Sequence, residues 1–338
     1  MKILIFKLSP IGDTVMFLPV VQELRRLRPE WQLTVCTTPV CAGLYRPGLD
    51  AAEIWPEDRD VFRRSWRRPN ALLAWFRRVR KLKPDAVLLS FDQSSMARIL
   101  AVASGAPLRI GGAESAVSWR HGLTHEVAIR PGHGLAQWDW EMAGTLPIGT
   151  SHEWPKTPPP PQLPVARPSS RQDRPRIVIH AGASRTYQLW AAERYVQLAE
   201  RLAVDCEVIW IVEPGAVRAA PKPPVKCAEP PDILEFVRIA GSSDLFVGNH
   251  SGPFHLACAA GTPCVVVTGP TLPVCDPPWA TEHTMILRMP GLACMPCDKL
   301  VVSPNRCTNV QTPMACMNYW TVEAVEQVCR GVLARRSR

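Results

Sequence analysis

The sequence predicts an α/β protein of two halves, each a parallel sheet flanked by helices, facing one another across a cleft. Three observations predict it. Short apolar runs alternate with amphipathic stretches along the chain, a proline-rich segment breaks the alternation near the middle, and the same rhythm restarts beyond it. At 338 residues the chain can bury two separate cores.

The elements follow in order. Ile3 to Phe6 is a buried-strand run, and Met16, Val20, Leu24 and Leu27 then recur at helical spacing with Arg25, Arg26 and Arg28 opposite. Leu33 to Cys36 and Ala86 to Leu89 read as further strands. A strand-helix-strand rhythm implies right-handed crossovers and a parallel sheet. Pro158, Pro159, Pro160, Pro161, Pro164 and Pro168 then mark an extended linker, because proline cannot donate to a helix or a ladder. Beyond it, Ile177 to His180, Val208 to Val212, Leu245 to Val247 and Cys264 to Val267 read as strands. Glu193 to Leu202 reads as a helix, and another starts at Gly252. The expected division is a Rossmann-like domain over 1–155, a linker over 156–175, a second Rossmann-like domain over 176–320 with a cysteine-rich loop at 294–316, and a helix over 321–338. No GxGxxG fingerprint follows the first strand, which argues against a dinucleotide-dependent dehydrogenase.

Composition narrows the class. Hydrophobic residues make up 46% and charged residues 20%, as in an ordinary globular protein. No apolar run approaches bilayer-spanning length, and Met1 to Phe6 is too short for a signal peptide, so a cytoplasmic location is expected. The net charge is +9. Much of the excess lies between Arg59 and Lys83, where Arg63, Arg64, Arg67, Arg68, Arg77, Arg78, Arg80 and Lys81 crowd together. Such a patch suits peripheral contact with an anionic membrane at its inner face or with a phosphorylated glycan; it is equally a solvated helix face. No nucleic-acid-binding motif accompanies it, so nucleic acid is not an expected partner.

Three loops carry candidate chemistry. Lys7-Leu8-Ser9-Pro10-Ile11-Gly12-Asp13 follows the first strand, at the end of the sheet where α/β proteins place ligands. Gly12 permits close approach of the backbone. Asp13 can accept a proton from a hydroxyl, although spacing alone favours a helix cap. Lys7 and Ser9 are candidates for acceptor contact or charge balance. His180-Ala181-Gly182-Ala183-Ser184-Arg185 leaves the first strand of the second half, where amides, a hydroxyl and a guanidinium suit a diphosphate; an ordinary turn fits as well. Gly248-Asn249-His250-Ser251-Gly252-Pro253-Phe254-His255 joins a strand to a helix. Ser251, Gly252 and the first helical amides form an anion site, Pro253 suits a first turn, and His255 by itself reads as structural. Gly269-Pro270-Thr271 follows the next strand and is placed to line the same pocket.

Taken together, Phe6 to Asp13, His180 to Ser184, Asn249 to Ala257, Gly261-Thr262-Pro263 and Gly269-Pro270-Thr271 resemble glycosyltransferase family 9, the bacterial ADP-heptose heptosyltransferases. The resemblance covers nearly the whole chain. It implies a GT-B fold and an inverting transfer that needs no divalent metal. It implies Asp13 as general base, and a sugar nucleotide, ADP-heptose, held mainly on the second domain, by Ser184, Arg185, Glu213, His250, Ser251, Gly252, Pro253, His255 and Thr271, with Gly12 of the first domain also in contact. The acceptor would lie on the first domain near Gly111 to His121. The sequence departs from the family at two positions. Gln188 stands in Tyr187-Gln188-Leu189-Trp190-Ala191, where the family usually has lysine nearby, leaving Arg185 to meet the diphosphate. His250 stands where the family commonly has aspartate.

The chain has 12 cysteines, expected to stay reduced in the cytoplasm. Cys294-Met295-Pro296-Cys297, followed by Cys307 and Cys316, has a spacing that can close a tetrahedral zinc or iron site. With four thiolate ligands such a site is structural. Some protein-modifying relatives within the family carry a similar cluster, which the resemblance brings with it. Three readings follow. One is heptose transfer to a lipopolysaccharide core or related glycan. Another is transfer of a different sugar, or to a lipid-linked or protein acceptor. The third is a sugar-nucleotide-binding module without turnover.

Overall fold

The computed structural model describes residues 1–46, 48–50, 53–64, 67–90, 95–112, 122–128, 130, 132–149, 153–164, 174–213, 221–298, 304 and 306–336. The chain divides into two compact units, Met1–Gln162 and Leu163–Arg338.

The first unit runs β1 (Lys2–Lys7), α1 (Ile11–Leu27), β2 (Gln32–Thr37), β3 (Ile54–Pro56), α2 (Arg59–Arg63), α3 (Pro69–Leu82), β4 (Ala86–Leu88), α4 (Ser95–Ala103), β5 (Leu108–Gly112), β6 (His125–Val127) and α5 (Leu135–Ala143). Its sheet has the order β3-β2-β1-β4-β5-β6, all parallel. The second runs β7 (Arg176–His180), α6 (Ala192–Leu202), β8 (Glu207–Ile211), β9 (Lys226–Ala228), α7 (Ile233–Gly241), β10 (Leu245–Asn249), α8 (Gly252–Ala259), β11 (Cys264–Thr268), β12 (Met285–Arg288), α9 (Ala315–Asn318) and α10 (Val322–Arg336). Its order, β12-β11-β10-β7-β8-β9, is the same winding read from the other edge, again all parallel. Each unit is thus a doubly wound, Rossmann-like sheet. Its strand order reverses between β1 and β4 in one unit and between β7 and β10 in the other, and such points are where ligands bind beyond the strand ends.

The central strands are apolar because helices cover both faces. In β1, Ile3, Leu4, Ile5 and Phe6 are all buried, and in β10 all five residues are. One core gathers Leu4, Phe6, Trp75 and Val87, with Phe6, Phe62 and Trp75 meeting edge to face. The other gathers Ile177, Trp190, Tyr195, Val247, Val267 and Met317. The basic segment spans α2 and α3, and α3 packs its stripe of Leu72, Trp75, Phe76, Val79 and Leu82 on the first core. Its arginines lie largely on the exposed side; Arg78 stacks over Trp55 at 3.7 Å, and Arg68 in the preceding residue pairs with Asp58 at 2.8 Å. No helix among the described residues is long and apolar enough to cross a membrane.

Candidate active site

In the first unit, the loop after β1 leads straight into α1. The cap position is Pro10, without a side-chain cap bond, and Asp13 stands in the first turn. Asp13 is therefore not the cap that spacing alone suggests. It is half-buried, and both it and Lys7 act electrostatically on the Cys41 thiol, which burial raises, so the three share one neighbourhood. Gly12 is buried beside it, and Ser9 is partly exposed.

Lys7 does not reach outward. It is 1% exposed, donating to Asp139 Oδ2 at 2.9 Å and to Ser90 Oγ at 2.7 Å. Ser90 in turn donates to Asp139 Oδ1 at 2.7 Å. Ser90 lies just past β4 and Asp139 on α5, so the network closes across the switch point of the sheet. A buried ammonium needs a counter-charge, and Asp139 supplies it. Nothing local in the sequence marks Asp139, which is 132 residues away from Lys7. Of the acceptor region expected at Gly111 to His121, Gly111 and Gly112 end β5; residues 113–121 lie outside the described residues.

In the second unit the candidate donor residues do converge on one sheet edge. Ser184 and Arg185 follow β7, Glu213 follows β8, His250 to His255 follow β10, and Thr271 follows β11. Asn249, fully buried at the end of β10, ties these loops together. Its Nδ2 donates to Ala181 O at 3.0 Å and Gly182 O at 3.2 Å, and its Oδ1 accepts from Trp190 N at 2.9 Å and Tyr195 Oη at 3.1 Å. His180 Nε2 lies 3.1 Å from Glu213 Oε1. Gly182 leaves room for this pair, since a Cβ there would displace Glu213 Oε1 and come within 2.7 Å of His180 Cε1.

Ser251 is the N-cap of α8, with Gly252 and Pro253 in the first turn. Its hydroxyl makes no cap bond and donates to Asn249 O at 3.3 Å. His250 Nε2 is hydrogen-bonded to Asp276 Oδ1 at 2.8 Å, and Arg288 Nη2 donates to the same oxygen at 2.6 Å. Burial opposes ionisation of Asp276, yet the bonds from His250 and Arg288 hold its carboxyl below the usual range. Asp276 and Arg288 lie outside every motif, and the sequence gives no signal of either. His255 packs against the His250 ring at 5.2 Å. Burial, with the nearby His250, lowers its pKa to about 3, so it is a neutral imidazole near pH 7. Its Nδ1, with His180 Nδ1, Thr268 Oγ1 and Thr271 Oγ1, is buried without a hydrogen-bond partner among the described residues. Buried polar atoms in native folds are normally satisfied, and bound ligand is one source of partners. Thr271 and Arg288 also line an open cavity of about 420 Å³.

The diphosphate candidates Ser184 and Arg185 are partly solvent-exposed. Arg185 Nη1 lies 3.0 Å from Asp298 Oδ1 and donates to Tyr187 Oη at 2.8 Å. Burial and the Asp298 carboxylate push the Tyr187 phenol up to about 12. Asp298 belongs to the cysteine-rich loop. There, Asn309 Nδ2 donates to Cys294 Sγ at 3.8 Å and Met314 N donates to Cys307 Sγ at 3.4 Å. Burial raises the Cys297 and Cys316 thiols, with the other cluster cysteines adding to the rise. Cys316 packs against Gly269, where a Cβ would collide with its Sγ. Among the described residues, no three His, Cys, Asp or Glu side chains stand close enough to hold a metal ion as placed.

Comparison with known proteins identifies the family. The description "Glycosyltransferase family 9 (heptosyltransferase)" matches residues 73–304. The fold is similar to that of E. coli ADP-heptose lps heptosyltransferase II, with a TM-score of 0.72 and 18% identity over 100% of both chains. It is also similar to the iron-containing dodecameric glycosyltransferase TibC of enterotoxigenic E. coli H10407, with a TM-score of 0.61 and 16% identity over 100% of this chain and 77% of that one. A stretch of 54 residues is 41% identical to lipooligosaccharide heptosyltransferase 2 of Campylobacter jejuni, covering 16% of this chain and 17% of that protein. At such identities the two solved structures speak for the fold, while the family match spans well over half of the sequence. Two parallel sheets of one winding, the loops at their switch points and this match give one conclusion: the chain belongs to glycosyltransferase family 9, the heptosyltransferase family, and is a glycosyltransferase of GT-B fold.

Proposed function

We propose that the protein transfers a heptose from ADP-heptose, with inversion, to a lipopolysaccharide core or related glycan, with Asp13 as general base. One observation carries this reading: the motif residues stand at the switch point of each sheet, where this winding places ligands. Asp13 takes the proton of the acceptor hydroxyl as that oxygen bonds to the anomeric carbon. The bond from that carbon to the diphosphate oxygen breaks, and the nucleoside diphosphate leaves with its electron pair. Arg185, the amides of the loop after β7 and those at the start of α8 meet the growing charge. Glu213 accepts from a ribose hydroxyl in this reading, with His180 Nε2 3.1 Å from its Oε1 to orient it. Thr271 and the neutral His255 supply uncharged polar contacts for the sugar.

The His250–Asp276 pair favours a second reading, in which the enzyme is the same and the donor sugar differs. An imidazole backed by a carboxylate presents a different hydrogen-bonding face to a sugar from a lone aspartate. Release of nucleoside diphosphate from a panel of sugar nucleotides, with core glycans, lipid-linked glycans and peptides as acceptors, tests both. Turnover of ADP-heptose above the others supports the first; turnover of another sugar nucleotide supports the second; binding without turnover rejects both in favour of a binding module.

The four cysteines Cys294, Cys297, Cys307 and Cys316 we assign to a structural zinc or iron ion. The donor set fits such an ion, and the N–H bonds from Asn309 and Met314 to cluster sulfurs are the kind that support bound thiolates. The ion would require the loop to tighten around it. Elemental analysis of protein purified without affinity metal is expected to find about one equivalent per chain; trace metal alone would reject the assignment.

A further inference from the structure

Asp298 directly follows Cys297 and is only 8% exposed. A buried carboxylate needs donors, and among the described residues this one draws them from the loop after β7. Its Oδ1 accepts from Tyr187 Oη at 2.7 Å and from Arg185 Nη1 at 3.0 Å, and its Oδ2 accepts from Gln188 Nε2 at 3.1 Å. Its own backbone N–H donates to Pro270 O at 3.0 Å. One residue therefore fastens the cysteine-rich loop to the two loops that follow β7 and β11.

The consequence falls on Arg185. The guanidinium is 42% exposed on its side chain, and only Nη1 has partners among the described residues. Its Nε and Nη2 donors are thus held in a fixed fork, the geometry that binds phosphate in a bidentate way. A free arginine would have to lose its rotamer freedom when the ligand binds. Here that ordering is done beforehand. Gln188 fits the same scheme: its amide donates to Asp298 Oδ2 and adds no second cation, so Arg185 is the cation whose placement decides the site.

We propose that Asp298 is a positioning residue for the donor diphosphate, acting through Arg185 and linking order in the cysteine-rich loop to that arm. This rests on the sugar-nucleotide reading above.

Calorimetric titration with ADP, and with UDP and GDP alongside, tests it on the full chain. The proteins compared are wild type, Asp298→Ala, Asp298→Asn, Arg185→Ala and the Arg185→Ala/Asp298→Ala double variant. Asp298→Ala is expected to weaken ADP binding about three- to tenfold, the effect of freeing one long side chain. Asp298→Asn keeps an oxygen acceptor and should lose less. With Arg185 already removed, Asp298→Ala should cost nothing more, because both changes break one coupled unit. Equal affinity in wild type and Asp298→Ala would overturn the proposal, as would losses that simply multiply in the double variant. If Asp298→Ala does not fold, the same cycle run with Asp298→Asn decides by the same criterion. A wild type that binds none of the three nucleotides would overturn the donor reading itself, and this inference with it; that result differs from binding that ignores Asp298.

Discussion

The two units share one winding and use charge in opposite ways. At the first switch point, Lys7, Ser90 and Asp139 form a closed, buried network, and both charged members are 1% exposed. At the second, each pair keeps one member in reach of solvent: Glu213 against the buried His180, Asp276 against the buried His250, and Arg185 against the buried Asp298. Glu213 keeps 42% of its side chain exposed. A charge cancelled in the interior contributes rigidity and is closed to ligands. A pair that keeps one member in reach of solvent can share it with a ligand. The winding sets where a site can form; the solvent-reaching members of these pairs are what favour the second unit for the donor in the reading proposed above.

That contrast can be broken by experiment. The largest effect on stability is expected from Lys7→Met, which leaves the Asp139 carboxylate buried without its cation. Breaking a buried pair this way costs about 3–5 kcal/mol, read as a lowered denaturant midpoint. Adding Asp139→Leu should recover much of the loss, because an apolar pair needs no desolvation. A Lys7→Met protein as stable as wild type would show that the network does not have the structural role assigned to it.

A smaller effect, in the second unit, is pH-dependent. His255 titrates near 6.5 when unfolded and at about 3 in the fold. The folded state therefore resists protonation. Stability is full above pH 6.5 and is lost as pH falls toward 3, by about 2 kcal/mol at pH 5. Equilibrium unfolding at pH 7 and pH 5, compared with His255→Gln, checks this. The variant should lose that part of the acid sensitivity; an unchanged slope would remove His255 as its source.

The central strands and both switch-point loops were legible in the sequence because parallel strands buried on both faces read as continuous apolar runs. Ile3 to Phe6, Ile177 to His180 and Cys264 to Val267 all carry that signature. Edge strands such as β3, β6 and β9 span three residues each, too short for any period to register. Asp13 is visible as an acid at a strand end, but spacing alone makes it a cap; the structure puts Pro10 in the cap position instead. The counter-charges were not legible. Asp139, Asp276 and Asp298 meet their partners only through the fold, over 132, 26 and 113 residues. No local pattern can carry such pairings. The family resemblance named candidate ligand groups and was silent on the residues that hold them.

The proposed reaction turns on Asp13. The decisive measurement is nucleoside diphosphate release by wild type and Asp13→Ala at saturating sugar nucleotide and acceptor, with donor affinity measured separately. The variant should bind the donor as wild type does and turn over about 10²–10⁴-fold more slowly, the usual contribution of a general base. An Asp13→Ala protein that turns over as fast as wild type would contradict the account.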